Sequence, residues 1–485
     1  MSMNWKFVFV IFLFVLGFRL WFALQSDLSP DAYFELRQIE HVEETGLPLI
    51  HDDLSYGGRD NVVFPAFYYV LALFARFFTL ESIAIIVPNL LASSLVILVY
   101  FISYDITKNV EASLFSSFIS GFIPLFLEST LNTVSSISLQ IPLAFLLIYC
   151  FMRLNSNWSV YIFMTLSFIL PILHNSTYML VLGFLVYMAF SYIENFQFKD
   201  KSYEFSLFFL FVSLWLITLV TKKAMVAHGT GVFWQNIPSI ILVNYFSDLT
   251  LQKVIGGIGI LNLLIGVYVL QRYLFNYKNR DVYLLTSFAV SVCVLLAFKL
   301  INLVLGLSFL AIILVIFFSM FYDICMDFIK KSHFSTFSKV FVLLLVLAFA
   351  FNSVVPSISV SSNLSGVNKD YVAALEWAYQ NTDSNATILA PLEFGHAVNY
   401  IAKRKNVADS QFMLIPLAEQ RARDIREFYS SNSGLNKVEI MNFYNAKYAV
   451  ADTLNNISDG ECFELIYDSK VKIYKLLCET RVERL

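Results

Sequence analysis

Hydrophobic and polar positions divide the chain into two unequal parts. Up to residue 357, apolar runs follow one another with short polar breaks, and runs of about 16 to 22 residues match the hydrocarbon thickness of a bilayer. The pattern predicts eleven membrane-spanning helices. We place them at 7–24, 83–104, 111–127, 133–153, 158–173, 176–193, 204–221, 253–271, 281–298, 301–321 and 339–357.

The positions of lysine and arginine predict which loops face the cytoplasm. With a cytoplasmic N-terminus every inner loop carries a base, whereas the outer turns near 128–132 and 174–175 carry none, which is the positive-inside pattern. A further apolar stretch, 62–80, would invert all later loops if it crossed, so we predict a re-entrant or interfacial helix there. We expect the plasma membrane as the location. The inner basic residues are Lys6, Lys108, Arg153, Lys199, Lys201, Arg272, Lys278, Arg280, Lys330, Lys331 and Lys339.

From residue 358 the composition becomes that of a soluble domain, which this topology places outside the cell. We predict a helix over 369–381, a buried strand over 386–390 and a hairpin of 463–467 with 471–476. Cys462 and Cys478 fall opposite each other across the hairpin. In an oxidising exterior they are expected to form a disulfide, and two unpaired thiols are the alternative.

Three glycosylation sequons, at Asn363, Asn385 and Asn456, are compatible with an external C-terminal segment. The expected fold class is therefore a polytopic α-helical membrane domain, 1–357, followed by an extracytoplasmic α/β domain, 358–485. The composition agrees, because 58% hydrophobic and 14% charged residues exceed what a soluble chain of this length can bury. The net charge of −3 gives no reason to expect a nucleic-acid partner.

The loop after the first span, 25–61, concentrates carboxylates. One acidic loop at the first exit from the bilayer favours a reaction at that place, and the alternative is a solvated amphipathic cap. Its acidic residues are Asp27, Asp31, Glu35, Glu40, Glu43, Glu44, Asp52, Asp53 and Asp60.

Two short stretches resemble one family. Asp31-Ala32-Tyr33 with Leu36-Arg37, then Gly46-Leu47-Pro48 and the run 53–58 (Asp-Leu-Ser-Tyr-Gly-Gly), resemble the first external loop of the GT-C glycosyltransferases. The likeness is greatest to the catalytic subunit of single-subunit oligosaccharyltransferase. The second stretch, 393–409, lies where that family has its Trp-Trp-Asp-Tyr-Gly signature.

The chain departs from the family at that signature and in its acidic residues. Pro391 and Leu392 replace the two tryptophans, Glu393 the aspartate and Phe394 the tyrosine. In the family the signature grips the hydroxyl of the acceptor sequon. Glu128 stands alone where the family has an acidic pair, and the 222–252 loop offers only Asp248 for the family's later glutamate.

The resemblance implies a glycosyltransferase that uses a polyprenyl- or dolichyl-phosphate-linked sugar donor, with a protein or glycan acceptor and membrane lipids as its other partners. Asp31 would activate the acceptor as general base or as a metal ligand, and the alternative role is a helix N-cap. Glu35, one turn later, would support it, with an exposed helix acid as the alternative. Glu128 would be a second ligand of Mg²⁺ or Mn²⁺, and a metal-independent mechanism stays open.

Cations are expected where the donor phosphate lies. Lys299 interrupts a long apolar run in a tight outer turn and is the first candidate, with a snorkelling lysine as the alternative. Lys222 and His228 in the 222–252 loop are further candidates for donor contact. In the C-terminal domain the candidate substrate contacts are Glu393, His396 and Arg404, although Arg404 is equally explained as a solubilising charge.

Other functions remain alternatives at this stage. The nearest is transfer of a single sugar from a lipid monophosphate to a lipid or glycan, which the missing tryptophans favour. A transporter or flippase is disfavoured because the spans contain few ionisable residues at mid-membrane depth. A non-catalytic scaffold is disfavoured by the intact Asp31 loop.

Overall fold

Each of the eleven predicted spans coincides with one helix or with two consecutive helices. The computed structural model describes residues 5–194, 200–247, 250–274, 279–331, 338–452, 457 and 461–479; Lys199, Asp248, Lys278 and Asn456 lie outside this part of the chain. The helices up to residue 362 are α1 Trp5–Ala23, α2 Ala32–Thr45, α3 Ala66–Ala75, α4 Leu80–Ser93, α5 Leu95–Thr107, α6 Val110–Ser120, α7 Pro124–Thr130, α8 Ile137–Met152, α9 Asn157–Leu173, α10 Tyr178–Ile193, α11 Asp200–His228, α12 Ser239–Ser247, α13 Leu251–Ile258, α14 Ile260–Arg272, α15 Arg280–Ala297, α16 Leu303–Lys331, α17 Ser338–Phe349 and α18 Val355–Ser362.

Seven helical segments in the described residues are long and apolar enough to cross a membrane, or eight if α6 and α7, bent by 48°, form one span. Shorter apolar helices, among them α8, α9 and α14, make up the other predicted spans. Helix α3 has ten residues, about 15 Å of helix and half of a bilayer's hydrocarbon thickness. That length fits the predicted re-entrant or interfacial helix. The side of the membrane on which each loop lies stays a prediction.

Helix α16 forms the centre of the membrane bundle. It packs against α5, α6, α7, α14 and α15. Of its most apolar 18-residue stretch, 89% is buried inside the protein. Helices α10 and α15 also lie close together, because Gly183 leaves room for the ring of Phe288; a Cβ at position 183 would lie 2.1 Å from Cδ1 of that ring. Small residues allow such close approach between membrane helices.

A buried arginine links the first span to its neighbours. Arg19 donates from Nε to Oδ1 of Asn89 (3.0 Å) and from Nη2 to Oγ1 of Thr130 (2.5 Å). It also lies over the ring of Phe126, 5.5 Å from the centroid. A charge within a bundle must be satisfied internally, so these contacts fix the end of α1 against α4 and α7. The loop carrying Asp31 follows directly.

The C-terminal domain has a five-stranded mixed sheet in the order β4-β3-β5-β7-β6. Strand β3 runs parallel to β4 and β5, and β7 runs antiparallel to β5 and β6. The predicted helix, strand and hairpin are confirmed, as is the disulfide between Cys462 and Cys478, whose Cα atoms are 5.0 Å apart. The elements are α19 Lys369–Asn381, β3 Thr387–Leu389, α20 Gly395–Ala397, β4 Lys405–Asn406, α21 Ala418–Ser430, α22 Gly434–Phe443, β5 Ala446–Ala451, β6 Phe463–Tyr467 and β7 Lys472–Leu476.

The loop 25–61, which the topology predicts to be the first external loop and which is called so below, lies against this domain. Its helix α2 packs on α3 and α20. Two short strands, β1 His51–Asp52 and β2 Arg59–Asp60, pair antiparallel further along the loop. Arg37 donates to both carboxylate oxygens of Asp52, at 2.7 and 2.8 Å, and so ties α2 to β1.

Arg404 is a structural residue rather than a substrate contact. It is buried, 6% exposed, and its Nη2 donates to the carbonyls of Tyr379 and Thr382, both at 2.7 Å, while Nε donates to Oγ1 of Thr382 at 3.0 Å. These groups lie at the end of α19, whose last carbonyls lack partners within the helix. The sequence-based expectation of a substrate or solubilising role for Arg404 does not fit this burial.

We therefore expect Arg404→Met to lower the free energy of unfolding by about 3 kcal/mol, because buried carbonyls lose charged donors. Thermal unfolding of the full-length protein in detergent measures the effect. The matched control is Lys403→Met, at an exposed neighbour whose Nζ lies 3.8 Å from Glu40, and it should change stability little. Equal melting temperatures for the two variants would contradict the assignment.

Candidate functional site

A cavity of about 440 Å³ lies where the start of α2, the end of α7 and the turn between α15 and α16 meet the C-terminal domain. Three residues singled out in the sequence, Asp31, Glu128 and Lys299, line it together. They come from segments almost 270 residues apart, and the alternation of the spans brings them to one end of the bundle. Lys253 and Ser410 also line this cavity, and neither residue was a candidate from the sequence.

Asp31 presents an exposed carboxylate to the cavity. It occupies the N-cap position of α2, but its side chain makes no capping hydrogen bond. Instead, Oγ of Ser410 donates to Oδ1 of Asp31 at 2.6 Å. Asp31 therefore does not cap α2 through its side chain, and its carboxylate accepts a hydrogen bond from a hydroxyl instead.

Glu35 lies one turn after Asp31 and differs from the exposed helix acid that the sequence suggested. Its Oε2 is buried without a hydrogen-bond partner in the described structure, and the residue is not among those lining the cavity. Burial raises the pKa of Glu35 to about 8, the hydroxyl of Tyr68 acts in the opposite direction, and the charge of Asp31 raises it further. Glu35 is accordingly a neutral acid at pH 7, behind Asp31.

The loop that carries Ser410 is held by its neighbour Asp409, which is completely buried. Oδ2 of Asp409 accepts from Oγ of Ser55 at 2.5 Å and from Nδ2 of Asn406 at 3.1 Å, and Oδ1 accepts from the backbone N–H of Gln411 at 3.0 Å. Nη2 of Arg59 lies 3.3 Å from Oδ1. Burial by itself raises the pKa of Asp409, but Arg59, His396 and Ser55 hold that pKa below its ordinary value.

Further hydrogen bonds and a close backbone contact complete the junction between the loop 25–61 and the C-terminal domain. The hydroxyl of Tyr56 donates to the carbonyl of Asp409 at 2.7 Å, and the N–H of Tyr56 donates to Oδ1 of Asn406 at 2.7 Å. Gly395 is required at its position because a Cβ there would lie 2.1 Å from the carbonyl oxygen of Ala408. The first external loop and the loop of Ser410 are thus fixed relative to each other.

Lys299 lies in the turn between α15 and α16 and has a left-handed backbone, with φ of +57°. The N–H of Leu300 donates to the carbonyl of Leu295 at 2.8 Å, and that of Lys299 to Leu296 at 3.0 Å, which closes the end of α15. Such positions favour glycine, so a lysine is held there at a conformational cost. Strained non-glycine residues are frequent at functional sites.

The other candidate residues lie elsewhere. Lys222 is exposed on α11 and is not among the residues lining the cavity. His228 lines a different groove, of about 520 Å³, between the end of α11 and residues 414–419. Glu393 lines a third, of about 490 Å³, between α12 and α21.

His396 does not reach any substrate position. It is 1% exposed, its Nε2 lies 3.5 Å from Oδ1 of Asp409, and burial lowers the pKa of His396 while the Asp409 charge acts in the opposite direction. The expected substrate contact at His396 is therefore corrected to a packing role within the domain junction.

Solved structures of known proteins have an architecture similar to that of this chain. The chain resembles the oligosaccharyltransferase AglB of Archaeoglobus fulgidus, solved with an inhibitory peptide and a dolichol-phosphate, with a TM-score of 0.69 and 13% identity over 91% of this chain and 69% of that one. It resembles ArnT of Cupriavidus metallidurans bound to undecaprenyl phosphate, with a TM-score of 0.58 and 11% identity over 98% of each chain. The chain has the GT-C fold.

The GT-C fold also includes the arabinofuranosyltransferase AftD from Mycobacteria, which this chain resembles with a TM-score of 0.54 and 12% identity over 99% of this chain and 40% of that one. No family model matches the sequence, and a search of curated proteins found no match. The fold predicted from the sequence, a GT-C-like membrane domain with a C-terminal α/β domain, is confirmed.

Both carboxylates that the sequence predicts as ligands of a divalent ion, Asp31 and Glu128, line the cavity. A further structure of the Archaeoglobus enzyme holds Zn and sulfate. Here, Nζ of Lys253 lies 3.8 Å from Oε1 of Glu128, so one of the two predicted ligands faces an ammonium. The described residues contain no group of three or more His, Cys, Asp or Glu side chains able to hold a metal. A divalent ion here would therefore have one or two carboxylates as protein ligands, with water or substrate phosphate as the others, an arrangement that Mg²⁺ commonly adopts.

Burial of Glu35 makes stability depend on pH. Its pKa is about 8 in the folded protein against an ordinary value of 4.5, so the folded state binds more protons between these values. The contribution of Glu35 to the free energy of unfolding therefore falls as pH rises from about 4.5 to about 8 and stays low above that. Glu35→Gln is expected to remove this slope and to raise the melting temperature at pH 7.

Thermal unfolding of the purified full chain at several pH values provides the measurement. The matched control is Glu43→Gln, an exposed acid on the same helix, which should retain the wild-type slope. The same pH slope in wild type and in Glu35→Gln would refute the burial argument.

Proposed function

We propose that this protein is a glycosyltransferase that moves a sugar from a polyprenyl- or dolichyl-phosphate-linked donor to an acceptor hydroxyl at the extracytoplasmic face. The observation that carries the proposal is one cavity in which Asp31 receives a hydroxyl hydrogen bond and Lys299 supplies a cation. The GT-C fold supports the class of donor, since AglB and ArnT were solved with dolichol-phosphate and undecaprenyl phosphate.

The reaction requires a base and a stabilised leaving group. The acceptor oxygen attacks the anomeric carbon of the sugar, its proton passes to a carboxylate oxygen of Asp31, and the bond from that carbon to the lipid phosphate breaks. Negative charge then collects on the departing phosphate. Lys299, with Lys253 lining the same cavity, would stabilise that charge.

The Ser410 contact favours a hydroxyl acceptor. A hydroxyl already lies 2.6 Å from Oδ1 of Asp31, within the distance over which a general base accepts a proton. We propose that the acceptor hydroxyl approaches the same carboxylate, with Ser410 orienting it. Pro391 and Leu392 in place of the family tryptophans agree with an acceptor other than a sequon.

The second candidate is transfer of an oligosaccharide to an asparagine amide, as the resemblance to oligosaccharyltransferase suggests. It is favoured by the high TM-score to AglB, a structure of which carries an acceptor peptide with an NVT sequon. The two candidates share the donor and differ in the bond formed. The product therefore separates them.

Asp31→Asn is expected to lower transfer by at least about 100-fold, because the variant keeps the shape of the side chain but loses the base. Isolated membranes receive a labelled lipid-linked sugar extract, and label in lipid, glycan and protein is measured. The control is Asp53→Asn, an exposed acid in the same loop, which should transfer normally. Equal activity of the two variants would remove Asp31 from the mechanism.

The product and the metal dependence are measured in the same assay. Product sensitive to β-elimination, or soluble in organic solvent, supports a hydroxyl acceptor, whereas product released by an asparagine amidase supports the second candidate. Transfer measured with EDTA, and again after addition of Mg²⁺ or Mn²⁺, shows whether the reaction needs a divalent ion at Asp31 and Glu128. Absence of transfer from every donor pool would favour a transporter or a scaffold.

Lys299→Gly provides a test of the phosphate contact that does not damage the turn. Glycine suits the left-handed backbone, so the melting temperature should be preserved or rise, while transfer falls at least about tenfold at low donor concentration through loss of a charged contact. Lys299→Arg should retain most of the transfer. The control is Lys369→Met, at an exposed lysine outside the cavity, and unchanged transfer in Lys299→Gly would contradict the role.

A further inference from the structure

A second cavity, of about 710 Å³, lies at the opposite end of the membrane bundle. Residues Leu303 and Val304 of α16 line the candidate active site, whereas Tyr322, Met326 and Lys330 of the same helix line this second cavity. Eighteen residues separate Val304 from Tyr322, which is about 27 Å along a helix. The second cavity therefore belongs to the other membrane surface.

The cavity has a polar end and an apolar interior. Glu111, Lys330 and Lys339 lie at the end, at the first turn of α6, the last turn of α16 and the start of α17. The interior is formed mainly by aromatic and aliphatic side chains, namely Ile11, Leu114, Phe115, Phe118, Val342, Val346 and Phe349.

Its depth matches one leaflet. From Lys339 to Phe349 the helix advances ten residues, about 15 Å, which is half the hydrocarbon thickness of a bilayer. The apolar wall is firmly built, since Phe349 stacks edge-on against Phe318 at 4.4 Å and against Phe115 at 5.7 Å. The protein covers little of the helical segment 339–362, which includes α17. Only 17% of its most apolar 18-residue stretch is buried in the protein.

We propose that this cavity binds an anionic glycerophospholipid, with its phosphate at Lys330 and Lys339 and an acyl chain between α6 and α17. Two lysines and one glutamate give the polar end a net charge of +1, complementary to a single phosphodiester. The hydroxyl of Tyr322 donates to Oε2 of Glu111 at 3.5 Å, which holds that carboxylate beside the aromatic wall. Basic pockets between membrane helices on the cytoplasmic side are suited to acidic head groups, and the positive-inside pattern assigns this end to the cytoplasm.

The inference does not rest on the proposed transferase function, because it uses no residue of the catalytic cavity and its test measures binding. The purified full chain is mixed in mild detergent with equimolar phosphatidylglycerol and phosphatidylcholine of identical acyl chains, and bound lipid is counted by native mass spectrometry. With each lysine contributing as basic residues do near anionic lipids, phosphatidylglycerol should bind about 30-fold more tightly.

The variant Lys330→Gln/Lys339→Gln should lose this preference while keeping its melting temperature. The control, Lys6→Gln/Lys201→Gln, removes two exposed lysines of the same predicted face that do not line the cavity, and should keep the preference. Val346→Trp, which fills the apolar interior, should reduce binding of both lipids. Glycerol phosphate without acyl chains should not compete, which distinguishes a lipid from a free phosphate.

Equal binding of the two lipids by wild type would overturn the proposal. So would a preference that survives Lys330→Gln/Lys339→Gln, or one that disappears equally in the control, because either result would assign the effect to general surface charge. Competition by glycerol phosphate would replace the lipid with a soluble phosphate ligand and would also overturn it.

Discussion

The buried carboxylate of Asp409 is the constraint on which the arrangement of the site depends. An ionised carboxylate inside a protein costs several kcal/mol unless charge and hydrogen bonds compensate it. Here Arg59 and Ser55 of the loop 25–61 supply much of that compensation, so the contacts of Asp409 favour docking of the C-terminal domain on that loop. Ser410 follows directly in the chain and is thereby held against Asp31.

Three buried ionisable groups influence the position or the charge of the site, each in a different way. Arg19 is satisfied by Asn89 and Thr130 and fixes the span that leads into the loop. Asp409 is satisfied across the domain junction. Glu35 has a buried oxygen without a partner and a raised pKa, so at pH 7 it adds no second negative charge beside Asp31. The proposed base is thus the exposed member of a pair of acids whose partner is neutralised by burial.

Two lysines of the cavity are the cations that the proposed mechanism requires for the departing phosphate. Lys299 is fixed by the backbone of a tight turn, and Lys253 lies beside Glu128. Both lysines line the same cavity as Asp31. Charge stabilisation of a departing phosphate needs fixed cations in a site shielded from water, and in the proposed mechanism side chains provide them.

Much of the fold follows from the sequence alone, because a bilayer imposes one length scale and forces apolar runs to be helices. Helices at the eleven predicted spans, helix α19 and the hairpin closed by Cys462 and Cys478 were predictable from periodicity and spacing. How many of those helices cross the membrane, and the domain boundary near residue 358, stay predictions. Asp31, Glu128 and Lys299 were recognisable as rare charges at the ends of apolar runs, and alternation of the spans assigned them to one face.

Only the tertiary structure decided what burial and long-range contact do to individual side chains. Local sequence makes Glu35 an exposed helix acid and His396 and Arg404 solvent-facing polar residues, yet tertiary packing buries all three wholly or in part. Glu35 lies beside Tyr68, His396 beside Asp409 and Arg404 at the end of α19. Ser410 and Lys253 gave no local signal, since a serine and a lysine are common everywhere. Their relevance comes from proximity to Asp31 and Glu128 across hundreds of residues or a helical bundle, and such proximity is a property of packing rather than of pattern.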